Sequence, residues 1–384
     1  MIDGFIVAWL VMSLGATYAA WKYRQLMEQM GDPAQPAKAL VIVPMKGQTP
    51  HTRAFLQSLL SQDHPDYRVV IAVESLADPA VAAADFATRG RPVGVKVVEA
   101  GLSADCGQKV WNLTRALDEI DAVDHLVVMA DADVILPRTW LSNLNWAVID
   151  QGQDIVTGYR LIVPASESLA ARMLTSINLS FALVPRITGL TAAWGGTMAM
   201  RRETLEKLEI RRYWRNALSD DLQLTAAARD KGILVHTNRR TLLVTPWGGD
   251  ISAFWSFGVR QFRIFRMNNP FLFLGLVAFQ LLPILGWGSL IVGLASGSAL
   301  ALMTAPVMAF LALYRQRLRW RVVREACAGI WNVDERQPFF DAFGRPIWWP
   351  AFLALGLSGM FGHTINWAGI TYRCRGARVT GLKR

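Results

Sequence analysis

The chain has 384 residues, is 52% hydrophobic and carries a formal net charge of +10, with a mean hydropathy of +0.25. It is too apolar for an ordinary soluble enzyme and too polar to lie in a membrane throughout, which leaves a water-facing domain joined to several spanning helices. Its basic residues crowd beside apolar stretches, with no helical reading motif or aromatic sheet platform near them, so they read as membrane anchoring and exclude nucleic acid as the expected partner.

The first apolar stretch, "IDGFIVAWLVMSLGATYAAW" (2–21), has the length of a bilayer span. It lacks a basic leading region and a small-residue cleavage site, so the expectation is an uncleaved anchor over 1–24. Lys22 and Arg24 follow at once, and by the positive-inside rule the chain beyond them faces the cytoplasm, which in a bacterium means anchorage in the inner membrane. Residues 39–250 then alternate short β-branched runs, such as "ALVIVPM" and "RVVIAVE", with helix-like stretches such as "KVWNLTRALDEI". That alternation predicts an α/β domain with a mainly parallel sheet, whose ligands bind beyond the carboxyl ends of the strands. The stretch "SLAARMLTSINLSFALVP" (168–185) is interrupted by Arg172 and Asn178 and predicts an interfacial or buried helix rather than a span. The apolar block 271–314 suits two spans with a turn near Ser296–Ser298. Five arginines follow it, from Arg315 to Arg324. The last apolar segment, 347–370, leads into a basic tail and is either a span or re-entrant. Cys106, Cys327 and Cys374 are too scattered for a disulfide framework or a zinc site.

Three motifs carry chemistry. Asp131 and Asp133 stand in "VVMADADVILP", where a strand ends. Strand alternation points them to one side, as ligands for Mg²⁺ or Mn²⁺ facing a nucleotide diphosphate; a helix cap with a solvated neighbour is the simpler structural reading. Asp220 and Asp221 open the helical pattern "SDDLQLTAAARDKGI". Acids are favoured there by the helix dipole, and a carboxylate so placed can also act as general base while its neighbour orients it. Arg260, Arg263 and Arg266 share one helical face in "FWSFGVRQFRIFRMNNP"; interfacial snorkelling suits Arg266, and Arg260 can reach a diphosphate. Three shorter motifs complete the set: Lys46 in "VPMKGQTP", where a base and ribose could sit, Lys109 and Asn112 in "ADCGQKVWNL" at a helix start, where a phosphate or sugar hydroxyl could be held, and Gly195 and Gly196, where backbone can approach a ligand; for any one of them alone a tight turn or packing role is the simpler reading.

In this order, "VPMKGQTP", "LLSQDHPDYRVVIAVESLADPA", "GQKVWNL", "MADADVILP", "WGGTMAMRRETLEKL", "SDDLQLTAAARDKGI" and the closing "INWAGITYRCRG" resemble the family-2-type inverting glycosyltransferases. Within them the chain is similar to the ceramide glucosyltransferase branch, which includes bacterial hopanoid-associated transferases. The resemblance implies a GT-A nucleotide-sugar-binding fold over 38–268, flanked by transmembrane or interfacial helices, with a membrane domain and basic tail over 269–384. It implies that Asp78 contacts the uracil and ribose region, Asp131 with Asp133 the metal, and Asp221, beside Asp220, the acceptor hydroxyl. The family's Gln-x-x-Arg-Trp signature falls on Phe257 to Gln261, where only Arg260 agrees. The expected activity is transfer of a sugar, glucose from UDP-glucose, to a lipid hydroxyl, that of ceramide. The runner-up is UDP-N-acetylglucosamine onto a phospholipid or hopanoid-related lipid, with polyprenyl phosphate a third acceptor. A transporter or a scaffold with a degenerate nucleotide-sugar domain is the reading from another class; the chain has no Gly-x-x-x-x-Gly-Lys loop to support an ATP-driven pump.

Overall fold

The structure, a computed structural model, describes residues 2–27, 35–184, 188 and 191–384. Residues 185–187, 189 and 190, inside the expected catalytic domain, lie outside the described residues, as does residue 1 of the expected anchor. The chain forms two compact units. One comprises residues 1–29, 161–185 and 246–362, the other residues 30–160, 186–245 and 363–384.

The second unit is built on strands β1 (Ala39–Pro44), β2 (Tyr67–Val73), β3 (Gly94–Glu99), β4 (Leu126–Ala130) and β6 (Thr197–Arg201), with β5 (Ile155–Pro164) up to residue 160 and β7 (Val235–Trp247) up to residue 245. They lie side by side in the order β3-β2-β1-β4-β6-β5-β7. The four strands from β3 to β4 are parallel, and β6 runs antiparallel to β4 and β5. The mixed α/β architecture expected from the strand–helix alternation is therefore present. Strands β1 and β4 are apolar at nearly every position because both their faces are covered, as in a parallel sheet. Along β1, β2 and β4 successive residues alternate between two cores: Val41, Val43, Ile71 and Val128 enter one with Phe55 and Trp140, and Leu40, Ile42, Val70 and Met129 enter another with Val110 and Leu224. β3 is half exposed and carries Lys96 and Glu99, charges that guard a sheet edge against further pairing.

Residues 363–384 correct the expectation of a basic anchoring tail. They fold into a second sheet, β8 (Thr364–Trp367), β9 (Ile370–Arg375) and β10 (Arg378–Lys383), paired antiparallel. Arg378 donates to the carbonyls of Tyr213 and Arg215, and Arg384 to that of Ser103. Backbone carbonyls of the same unit thus hold two of the tail's five basic residues.

In the first unit, three helices among the described residues are long and apolar enough to cross a membrane: Ile2–Gln25, Pro270–Ala295 and Ala299–Cys327. The break between the last two, at Ser296–Ser298, falls where the apolar block was expected to turn. The Leu169–Ala182 helix is buried over most of its length. The polar residues that interrupt it have partners: Asn178 accepts from the backbone of Ile162, and Arg172 pairs with Asp334 at 2.6 Å. The last apolar segment resolves into the 15-residue Arg345–Gly359 helix followed by β8 and β9. At 1.5 Å per residue that helix reaches only about 22 Å, short of a bilayer core of about 30 Å. The five-arginine run is not all surface either, since Arg315 is buried and donates to the carbonyl of Ser13.

One buried charge tests the sheet unit's packing. Asp124 is fully buried and accepts from Arg68 Nε at 3.0 Å and its terminal nitrogen at 2.5 Å. Arg68→Met leaves that carboxylate without its cation, a loss of about 2–3 kcal/mol once the quarter-exposed arginine is allowed for. Thermal unfolding of the full-length protein in detergent should begin several degrees lower. An unchanged transition would show that the pair does not support the sheet.

Candidate functional site

The parallel register sets the carboxyl ends of β1, β2 and β4 beside one another, with Val43 opposite Ile71 and Ile42 opposite Met129. The segments at 45–47, 74–78 and 131–133 leave the sheet at this shared edge, where ligands of parallel sheets bind. Two helices point their first residues at the same place. The Gln108–Ala116 helix brings Lys109, and the Asp220–Asp230 helix, N-capped by Ser219, brings Asp220 and Asp221.

Lys109 is the centre of the cluster. Its ammonium lies 2.7 Å from Asp131 Oδ1 and 2.9 Å from Asp220 Oδ2, joining the end of β4 to the start of the second helix. Burial alone would lower this ammonium's pKa, but the carboxylates of Asp131, Asp220 and Asp221 outweigh it and hold Lys109 well above its ordinary value. Burial pushes Asp220 the other way, up to about 6; Lys109 opposes that rise, while Asp221 and Asp131 add to it as like charges. Both members of the pair are thus raised. Three carboxylates facing a single ammonium keep Lys109 protonated.

Gly195 closes the cluster from one side. Its backbone N–H donates to Asp221 Oδ2 at 2.9 Å, and a Cβ there would lie 2.6 Å from Lys109 Nζ and 2.8 Å from Asp220 Oδ2. Only glycine lets the backbone come this near. Gly196 is equally confined, against the ring of Trp194. Asp221 also accepts from Leu222 N at 2.7 Å and from the Ser219 hydroxyl. It is partly exposed, whereas Asp220 is 2% exposed.

Arg160, on β5, is a site residue that the sequence reading missed. It lies 3.2 Å from Asp133 Oδ2 and 3.7 Å from Asp131 Oδ2, with its guanidinium 5.6 Å from the Trp194 ring centre. The available signal was a single charge inside the otherwise apolar run "IVTGYRLIVP". Asp131 and Asp133 both pair with Arg160, and both have already left the strand, so strand alternation is not what brings them together.

The other expected residues are placed as follows. Asp78 accepts from Gly47 N and Ala80 N, both at 2.8 Å, so it caps the Pro79–Thr88 helix and ties down the loop after β1. Lys46 pairs with Glu74 at 2.9 Å. Asn112 is buried, donating to Ala72 O and accepting from Gln108. Arg260 lies in the other unit, on the Ile251–Asn268 helix, 5.3 Å from the Phe257 ring centre. On the same helix, Arg263 and Arg266 donate to the carbonyls of Phe361 and Gly362, an internal tether where Arg266 was expected to snorkel. The tail sheet supports Lys109 indirectly: the buried Tyr372 hydroxyl accepts from Gln108 N, and Val379 N donates to Asn216 O.

Among the described residues, no three His, Cys, Asp or Glu side chains converge as a metal cage. The cluster's charge nevertheless suits a divalent ion. Four carboxylates, of Asp131, Asp133, Asp220 and Asp221, face two cations, Lys109 and Arg160, a formal sum of −2. The side chain of Asp133 is 51% exposed. Two hard carboxylates completed by phosphate oxygens are a common donor set for Mg²⁺ or Mn²⁺.

A family model described as glycosyl transferase family 21 matches residues 7–378. Among solved structures, a mannosyltransferase from Pyrobaculum calidifontis in complex with GDP-Man and Mn²⁺ is 17% identical, with 86% of this chain and 99% of that one covered and a TM-score of 0.49. Staphylococcus aureus TarS 1–349 with UDP-GlcNAc is 14% identical, covering 89% and 98%, with a TM-score of 0.41. Glucosyl-3-phosphoglycerate synthase from Mycobacterium tuberculosis, with Mn²⁺, UDP and phosphoglyceric acid, is 15% identical over 56% of this chain and 72% of its own, at 0.36. No curated protein matches the chain.

The close approach at Gly195 is directly testable. Gly195→Ala drives a methyl group into the Lys109–Asp220 contact and should cost on the order of 1–3 kcal/mol, as overpacking does. A lower melting temperature is the expected result, and a neutral substitution would mean that the ammonium and carboxylate are not held as described.

Proposed function

The chain belongs to glycosyl transferase family 21, and we propose that it transfers glucose from UDP-glucose to the hydroxyl of a membrane lipid, ceramide first among them, with inversion at the anomeric carbon. One observation supports this reading above the others: Lys109 draws Asp131, at the end of β4, and Asp220, beside Asp221, to within 3 Å of a single ammonium. The acid assigned to the diphosphate side and the neighbour of the acid assigned as base are thereby joined through one ammonium, which brings the two ends of a direct displacement to one edge of the sheet.

Mg²⁺ or Mn²⁺ held by Asp131 and Asp133 would supply positive charge beside the diphosphate. Lys109 and Arg160 hold those carboxylates in place and add fixed positive charge at the same edge of the sheet. Asp221, the more exposed acid of the pair, takes the proton from the lipid hydroxyl, whose oxygen attacks from the face opposite the leaving group. Asp220 stays buried and holds Lys109. Asp78 and Lys46 border the uracil and ribose; Asn112, Gly195 and Gly196 shape the wall; and Arg260 is assigned to the diphosphate on the family resemblance alone. The long helices keep the protein, and with it the acceptor, at the bilayer, with the transferase part on the cytoplasmic side. In this division of labour the N-terminal helix anchors the chain, the unit that holds the seven-stranded sheet and the tail sheet 363–384 carries the reaction, and the helices between Pro270 and Gly359 serve the membrane.

The test uses full-length protein in nanodiscs with labelled UDP-glucose, UDP-N-acetylglucosamine and other UDP-sugars, offered ceramide and total membrane lipid. Glucose on ceramide is the expected product. Asp221→Asn should lower transfer by about 10²–10⁴-fold, the usual contribution of a general base, while UDP-glucose binding by calorimetry stays within a few-fold. No transfer from any sugar to any lipid would overturn the proposal, and N-acetylglucosamine on a phospholipid would replace both donor and acceptor.

A further inference from the structure

The Ala299–Cys327 helix carries one continuous surface stripe at alternating spacings of four and three residues. Its first part is apolar: Met303, Val307, Phe310 and Tyr314 are 73%, 43%, 65% and 41% exposed. Its second part, on the same face, is Arg317, Arg321 and Arg324, all exposed. The change from apolar to cationic is complete within one turn, between Tyr314 and Arg317. Phe310 and Tyr314 stack at that boundary with ring centres 5.9 Å apart and planes 3° from parallel.

The stripe has the dimensions of a lipid. Eleven residues separate Met303 from Tyr314, a rise of about 16 Å, close to half of a hydrocarbon core of about 30 Å. Aromatic rings at the end of such a run sit where headgroups begin. There the surface opens into a groove of about 620 Å³, lined by the three arginines together with Phe310, Leu313 and Tyr314. Among the described residues no acidic side chain lines it. Arg324 is paired with Glu335 at 2.8 Å, while among the described residues Arg317 and Arg321 have no acidic partner.

We propose that this groove binds one anionic phospholipid, its phosphate on Arg317 and Arg321 and its acyl chains along the stripe from Tyr314 to Met303. A neutral zwitterionic lipid fits the stripe equally well but brings a choline or ethanolamine cation against an uncompensated pair of guanidiniums. A free phosphate satisfies the arginines and leaves the apolar half unused. The groove thus discriminates by headgroup charge and requires the acyl chains for affinity. It is independent of the transfer reaction, since none of its residues belongs to the Lys109 cluster.

The experiment is native mass spectrometry of the full-length protein released from nanodiscs of equal phosphatidylglycerol and phosphatidylcholine. The wild type should retain phosphatidylglycerol selectively. Each basic residue near the surface is worth about a fivefold preference, so Arg317→Gln with Arg321→Gln should reduce the selectivity by about 25-fold, whereas the double lysine replacement should keep most of it. Added inorganic phosphate should leave the bound lipid in place. Equal retention of the two lipids by the wild type, preserved selectivity in the double glutamine variant, or displacement by phosphate would each overturn the proposal. The first and third readouts need no variant to fold.

Discussion

A single buried ammonium organises the sheet unit's ligand edge. Four carboxylates gathered at one end of a sheet would repel one another and resist burial, and an ion without compensation in such a place is costly. Lys109 makes the arrangement tenable by contacting Asp131 and Asp220 together. Other features follow from keeping it there. Gly195 must lack a side chain, Gln108 must be fixed so that the next residue points inward, and Ser219 must cap the helix that presents Asp220. The tail sheet, far away in the sequence, contributes through the Tyr372 hydroxyl, which holds the backbone immediately before Lys109.

The compensation is deliberately incomplete in the electrostatic sense. With Lys109 and Arg160 against four acids, the cluster is two negative charges away from neutrality, and its more exposed members, Asp133 and Asp221, lie on the outside. Such a site attracts a divalent cation before it tolerates a diphosphate, and then holds the two together. Removing either resident cation would overload the cluster with negative charge, since Lys109 and Arg160 are its two counter-charges.

Local pattern carried most of the sheet into the sequence. β1, β4 and the second part of β2 are short apolar runs rich in Val and Ile because both faces are buried, and the turn at Ser296–Ser298 shows as a small polar gap in a long apolar block. Asp131, Asp133, Asp220 and Asp221 were legible because each motif sits at the end of one element. Arg160 was not, because its partners appear only once β5 is brought near β4 through β6. The fate of the basic tail was hidden for the same reason: Gln108 and Tyr372 are 264 residues apart, and charge density alone made a β-sheet resemble an anchor. Arg315 misled in a similar way, since a buried arginine donating to Ser13 looks in sequence like any other member of a basic cluster.

On the proposed reading, the Lys109 cluster is a site for one divalent cation completed by a nucleotide diphosphate. Titration of the full-length protein with Mn²⁺, followed by electron paramagnetic resonance in the presence and absence of UDP, addresses it without requiring turnover. The account predicts one Mn²⁺ per chain, bound markedly more tightly with UDP present, and loss of that site in Asp131→Asn. Binding that is indifferent to UDP, or undiminished in Asp131→Asn, would contradict it.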